Sequence, residues 1–194
     1  MKINPTPIVA YLAIAVILIS LFFIGAKITG HATDTGVVNV TISTAAALNF
    51  TTAILDFGTG SVVTGQTTAT LASDGGGTNT SWTGPKTDGE LVLENIGNVN
   101  VTLSLKASKT PDVFIGGTNP TFGAKVTNTS THTTSCVGAN FTDYEDITES
   151  DQIACNPLTY SENDTIDINF NMTIPIDAVG AKTVTITATG TATS

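Results

Sequence analysis

The sequence predicts an all-β protein: a single antiparallel β-sandwich, jelly-roll or immunoglobulin-like in topology, preceded by one N-terminal hydrophobic helix. Three observations lead there. Apolar and polar residues alternate with a period of two through most of the chain after Thr35. Clusters of Gly, Pro, Asn and Asp punctuate those stretches. One uncharged apolar run, Ile8–Ala26, stands apart from them near the N-terminus.

That run reads IVAYLAIAVILISLFFIGA and is flanked by Lys2 and Lys27. A signal peptide carries an apolar stretch of about 7–15 residues, and a membrane-spanning helix needs roughly 20. With 19 residues the run suits an anchor, yet Gly30-His31-Ala32 presents small residues where a signal peptidase reads, so cleavage after Ala32 stays open. Both outcomes export the same part. Residues 1–32 are expected to be a signal peptide or N-terminal membrane anchor, and residues 33–194 an extracellular β-sandwich domain.

The expected strands follow in order. Val37–Ile42, Ala53–Phe57, Gln66–Leu71 and Gly89–Glu94 come first. In Val99–Lys106, Val99, Val101, Leu103 and Leu105 alternate with Asn100, Thr102 and Ser104. Phe122–Val126 and Leu158–Tyr160 are shorter. Thr165–Ile174 places Ile166, Ile168, Phe170, Met172 and Ile174 on one face, and Lys182–Thr189 does the same with Val184, Ile186 and Ala188. Each such strand has one core face and one wet face. Turn chemistry at Gly84-Pro85, Asn95-Ile96-Gly97-Asn98, Gly116-Gly117 and Asn119-Pro120 separates them.

Charge and cysteine usage narrow the function classes. The only basic residues are 7 Lys, against 16 Asp and Glu, for a net charge of −9. Such a surface repels nucleic acid and anionic lipid, so no nucleic-acid partner is expected. Cys136 and Cys155 are the only cysteines; in an exported chain they are expected to form one structural disulfide. Asn-x-Ser/Thr sequons at Asn39, Asn49, Asn79, Asn100, Asn128, Asn140, Asn163 and Asn171 are candidate glycosylation sites.

Half of the acidic residues fall between Asp143 and Asp167. Asp143, Glu145 and Asp146 leave a Ca²⁺ site open as one reading, since hard carboxylates bind calcium where several converge, and a solvated acidic loop as the other. No other cofactor is expected. A Gly-x-Ser-x-Gly elbow, a His-Glu-x-x-His helix and a phosphate loop are all absent from the sequence, and no enzyme activity is expected. Trp82 has two readings, stacking on a sugar or capping the open end of the core.

Three segments carry a family resemblance: Leu55-Asp56-Phe57-Gly58 with a later turn at Gly65, Leu91 through Val101 around Asn95-Ile96-Gly97-Asn98, and Ile174-Pro175-Ile176-Asp177-Ala178-Val179-Gly180 before a Thr-rich last strand. Through them the chain resembles the TasA/camelysin-like fibre subunits and the archaeal bundling pilins. The resemblance implies an exported jelly roll, of archaeal type, whose subunits polymerise by donating a strand to a neighbour. Camelysin is a name tied to proteolysis, but neither His31 nor His132 stands in a zinc motif.

The residues offer their own reason to expect strand donation. Gly36–Ile42 and Thr183–Ser194 carry no charged side chain, whereas edge strands are usually guarded by Lys, Pro or bulges. Val38, Val40 and Ile42 are the donor-strand candidates, with alternate side chains to set register; the plainer alternative is that both segments pair within their own sandwich. The expected function is thus a cell-surface structural protein, a filament, pilus or coat subunit that self-associates. The alternative is a membrane-anchored, adhesin-like module presenting loops to a partner or glycan, held to the membrane by Ile8–Ala26 if that run is uncleaved.

Overall fold

The computed structural model describes residues 40–74, 79–85 and 89–193. Among these residues the chain forms nine strands and one helical turn, arranged as two antiparallel sheets. The expected hydrophobic helix at Ile8–Ala26 and the strand expected at 37–39 lie outside the described residues. Among the described residues no helix is long and apolar enough to cross a membrane.

The larger sheet is built around the longest strand, β8 (Thr165–Pro175). Ile166, Ile168, Phe170 and Met172 on β8 turn inward and are buried, as the period of two requires. Along one side β8 pairs with the whole of β5 (Thr121–Asn128). On the other side its first half pairs with β3 (Leu91–Asn95) and its second half with β2 (Thr68–Ala72). Beyond β3 lies β1 (Leu48–Thr52), and beyond β5 the two-residue β6 (Glu145–Asp146).

The smaller sheet has the order β7-β4-β9. Its centre is β4 (Val101–Ala107), where Val101, Leu103, Leu105 and Ala107 are buried and Thr102, Ser104 and Lys106 are half-exposed. β7 (Gln152–Leu158) and β9 (Ile186–Ala192) flank it. The inner faces of both sheets share one core: Leu71, Leu93, Ile166 and Ile168 from the larger, Val101, Leu103, Leu105 and Leu158 from the smaller. Each such side chain contributes about 1.5–3 kcal/mol by leaving water. Phe122 stacks on Phe170 at 5.4 Å between ring centres and meets Phe114 edge-on at 5.0 Å, closing the core beneath the helical turn α1 (Pro111–Phe114).

Several strands depart from the sequence reading, each for a local reason. The described part of Val37–Ile42 is not a strand, and Val40 and Ile42 are about four-fifths exposed (81% and 80%). Ala53–Phe57 is loop; the strand precedes it at β1, where Leu48 and Phe50 pack on the core and the register with β3 breaks between Phe50 and Thr52. β7 ends where Leu158–Tyr160 was expected to begin. Its register against β4 shifts twice between Val101 and Ser104, so Ala154 and Cys155 are both buried and the period of two is lost.

Candidate functional site

A sheet edge is a row of backbone donors and acceptors, so each edge of this sandwich is either guarded or available. The β6 edge of the larger sheet ends in the exposed carboxylates Glu145 and Asp146. Lys125 on β5 bridges to Asp74 at 2.9 Å and lies 4.7 Å over the ring of Tyr144, pinning the segment that leads into β6. That ammonium holds the Asp74 carboxyl below its usual range.

The β7 edge of the smaller sheet is covered and stapled. Val137 donates to the Pro157 carbonyl at 3.1 Å, Asn156 to Gly138 at 2.8 Å and Asn140 to Ala154 at 3.0 Å. The Cys136–Cys155 disulfide fixes this extra segment to β7, with Cα atoms 5.7 Å apart. Asn128 completes the closure: its Oδ1 accepts from Cys136 N at 2.7 Å, and its Nδ2 donates to the carbonyls of Thr133 at 3.0 Å and Cys136 at 3.4 Å. The disulfide fits an oxidising, extracellular setting.

Among the described residues nothing pairs with the outer side of β9. Thr193 N donates to Asn100 O and Ser108 N donates to Thr185 O, so the odd-numbered residues of this stretch turn their backbone groups toward β4. By the alternation of an antiparallel ladder, the N–H and C=O groups of Ile186, Ala188, Gly190 and Ala192 point to the open side. Residues 183–193 include no charge, no Pro, and no register shift against β4. The nearest guard is Lys109, whose Nζ donates to the Thr183 carbonyl before the strand starts.

Between β9 and the start of β1 the two sheets part. Ala46, Ala47 and Leu48 face Ala188, Thr189 and Gly190 across a cleft of about 290 Å³. Leu48 closes its floor: a Cβ on Gly190 would stand 3.1 Å from Leu48 Cδ1, tighter than ordinary contact, which leaves glycine the comfortable choice. Small residues line most of this cleft, and its volume lies at the low end of the range of small-molecule sites.

The other expected sites are scattered. Val38 and Asn39 lie outside the described residues, and Val40 and Ile42 are exposed and outside any strand. Asp143, Glu145 and Asp146 are exposed, and among the described residues no group of three or more His, Cys, Asp or Glu could hold a metal. Trp82 packs partly buried against the core, and a Cβ at Gly60 or Gly84 would overlap its indole, so the ring is walled by backbone rather than offered as a flat stacking platform.

Sequence reasoning missed the role of Asn95. It is 1% exposed, and its Nδ2 donates to the carbonyls of Val99 at 2.9 Å, Thr159 at 3.1 Å and Leu158 at 3.4 Å while Oδ1 accepts from Gly97 N at 3.1 Å. One amide thus joins the β3–β4 turn to the end of β7. A searchable signal existed: Asn95 occupies an inward position, next after Leu91 and Leu93 in the alternation, where an apolar residue is expected. Comparison with protein-family models, curated proteins and solved structures yields no match to this chain.

Proposed function

We propose that the protein is an exported structural subunit of the cell surface, building a filament, pilus or coat by strand addition between copies. The observation that carries this reading is the unguarded β9 edge beside an open cleft. Main-chain hydrogen bonds along Ile186, Ala188, Gly190 and Ala192 supply affinity, and alternate side chains of the incoming strand supply register. The donor is the segment around Val38, Val40 and Ile42 of a neighbouring copy. The exposure of Val40 and Ile42 and their lack of a strand partner support that choice.

In this reading Ile8–Ala26 is the export signal or anchor helix, and the sandwich is of jelly-roll or immunoglobulin-like type. Cleavage after Ala32 frees the donor segment, and retention of the run limits growth to the membrane surface. Deleting Asp34–Ser43 tests the proposal: loss of the multimers seen with the longer chain is expected, and unchanged multimers overturn strand donation. The exposed carboxylates of the disulfide-closed segment favour a second reading, an anchored binding module, which requires a monomeric exterior domain.

A further inference from the structure

Sequons are abundant in a Thr-rich chain, but a folded glycoprotein can carry sugar only where the asparagine Nδ2 reaches solvent and both its hydrogens are not already committed. We infer that this protein is N-glycosylated at Asn49, Asn100 and Asn163, which cluster at one end of the sandwich, and that its sequons at Asn128 and Asn171 stay bare. The inference rests on the export reading above, since the sugar-transfer machinery acts outside the cytoplasm.

The side chains of Asn49, Asn100 and Asn163 make no hydrogen bond within the described protein, and Asn49 is exposed while the other two are half-exposed. Their neighbours in the alternation fix their direction. Leu48 and Phe50 turn to the core, so Asn49 faces out from the edge strand β1; Val99 and Val101 turn to the core, so Asn100 faces out from the smaller sheet. Asn163 lies on the turn before β8, where its carbonyl accepts from Thr159 Oγ1 and its amide side chain is unused.

The fold gathers the three. Asn49 pairs with Glu94, and Glu94 pairs with Thr165, two residues beyond Asn163. Asn95 N donates to Asp164 O, and its Nδ2 to the Val99 carbonyl beside Asn100. The chain enters the sandwich at this same end, where the Asn98 side chain binds Ser43 O and Ala45 N.

The other sequons differ in kind. A glycosylated amide keeps one N–H, yet Asn128 needs both, for Thr133 and Cys136, and also spends its Oδ1 on Cys136 N. Asn171 sits mid-sheet between Ala72 and Gly123, its Oδ1 lying 2.7 Å from where a Gly123 Cβ would stand. The side chain lies in the gap that glycine leaves. Asn79 and Asn140 have Nδ2 tied to Pro85 O and Ile153 O and are not part of the inference.

Chemically, Nδ2 attacks the anomeric carbon of a sugar carried on a lipid phosphate. The C–N bond forms, the bond from carbon to phosphate oxygen breaks, the phosphate leaves with the electron pair, and the amide proton passes to a base of the transferase. Sugars at Asn49 would also shield the β1 edge, leaving β9 as the edge open to another copy.

The test is peptide mapping by mass spectrometry of the full chain purified from its native host, with cell-exterior and cell-interior fractions kept apart. Sugar is expected on Asn49, Asn100 and Asn163 in the exterior fraction, with Asn128 and Asn171 unmodified. Each of N49Q, N100Q and N163Q should lower the intact mass by one glycan, and N128Q should leave the glycan mass unchanged. Exterior protein bare at the three sites, or glycosylated at Asn128, overturns the inference and leaves the export reading standing. A chain found only inside the cell and unmodified overturns both.

Discussion

The two edges of the smaller sheet share a central strand and are treated in opposite ways. Against β7 the chain lays an additional segment, bonds it at Val137, Gly138 and Asn140, and staples it with Cys136–Cys155. Against β9 no described residue is laid, and the ladder there runs from Ile186 to Ala192 with neither charge nor proline. A protein that needed only to stay soluble would guard both. The contrast teaches that, within the smaller sheet, the open edge belongs to β9, since the means of closing an edge are present at β7 of the same sheet.

The comparison can be broken hardest at the staple. Replacing both Cys136 and Cys155 with Ala frees a loop of 19 residues' separation, and the chain-entropy account expects a loss of about 3 kcal/mol. Chemical denaturation would measure it. The same variant should lose hydrogen-exchange protection at Val137 and Asn140 before β9 is affected.

Asn128→Ala attacks the stapled edge from the side. It removes the acceptor of Cys136 N and both donors to the loop carbonyls, and about 2 kcal/mol of stability should go with them. A loss below a few tenths in the same denaturation experiment would show that the closure is held by the disulfide alone.

Ala188→Pro sharpens the other side. Its N–H points away from β4, so a proline there deletes a donor from the open edge and leaves the ladder with β4 intact. Self-association should fall at least tenfold, about 1.4 kcal/mol, by analytical ultracentrifugation, with the sandwich still folded. Thr189→Pro, one residue along, removes a ladder donor instead and should unfold the edge strand.

The smallest effect belongs to the clamp near β6. Lys125 lowers the folded-state pKa of Asp74, so the contribution of that pair is present above the unfolded carboxylate value and is lost as pH falls through the folded one. Both partners are partly exposed. Asp74→Asn should therefore cost less than about 1 kcal/mol near pH 7, and the difference should shrink as pH falls below the ordinary carboxylate value. Thermal denaturation across that range would follow it.

The sandwich was legible where a strand buries one face for its full length. β4 alternates without fault and β8 departs at the buried Asn169 and the half-buried Ile174, and Leu103, Leu105, Ile166 and Ile168 are all buried as the period of two predicts. Legibility failed at β1, β6 and β7, whose identity depends on long-range partners: β1 on its pairing to β3, β6 on two residues beside β5, and β7 on a register shifted against β4. The lack of charge from Thr183 onward could be read directly. Which side of that strand stays open could not, because edge status is decided by distant residues on β4, from Val101 paired with Ala192 to Ala107 paired with Ile186. Asn95 hid for a related reason, since its partners at Leu158 and Thr159 are remote in sequence.

Residue-resolved amide hydrogen exchange, comparing monomer with assembled protein, tests the central claim most directly. In the monomer Thr187, Thr189 and Thr191 should be protected by β4 while Ile186, Ala188, Gly190 and Ala192 exchange freely. In the assembly the second set should become protected too. Assembled protein in which Ala188 and Gly190 still exchange as fast as in the monomer would contradict strand addition at β9.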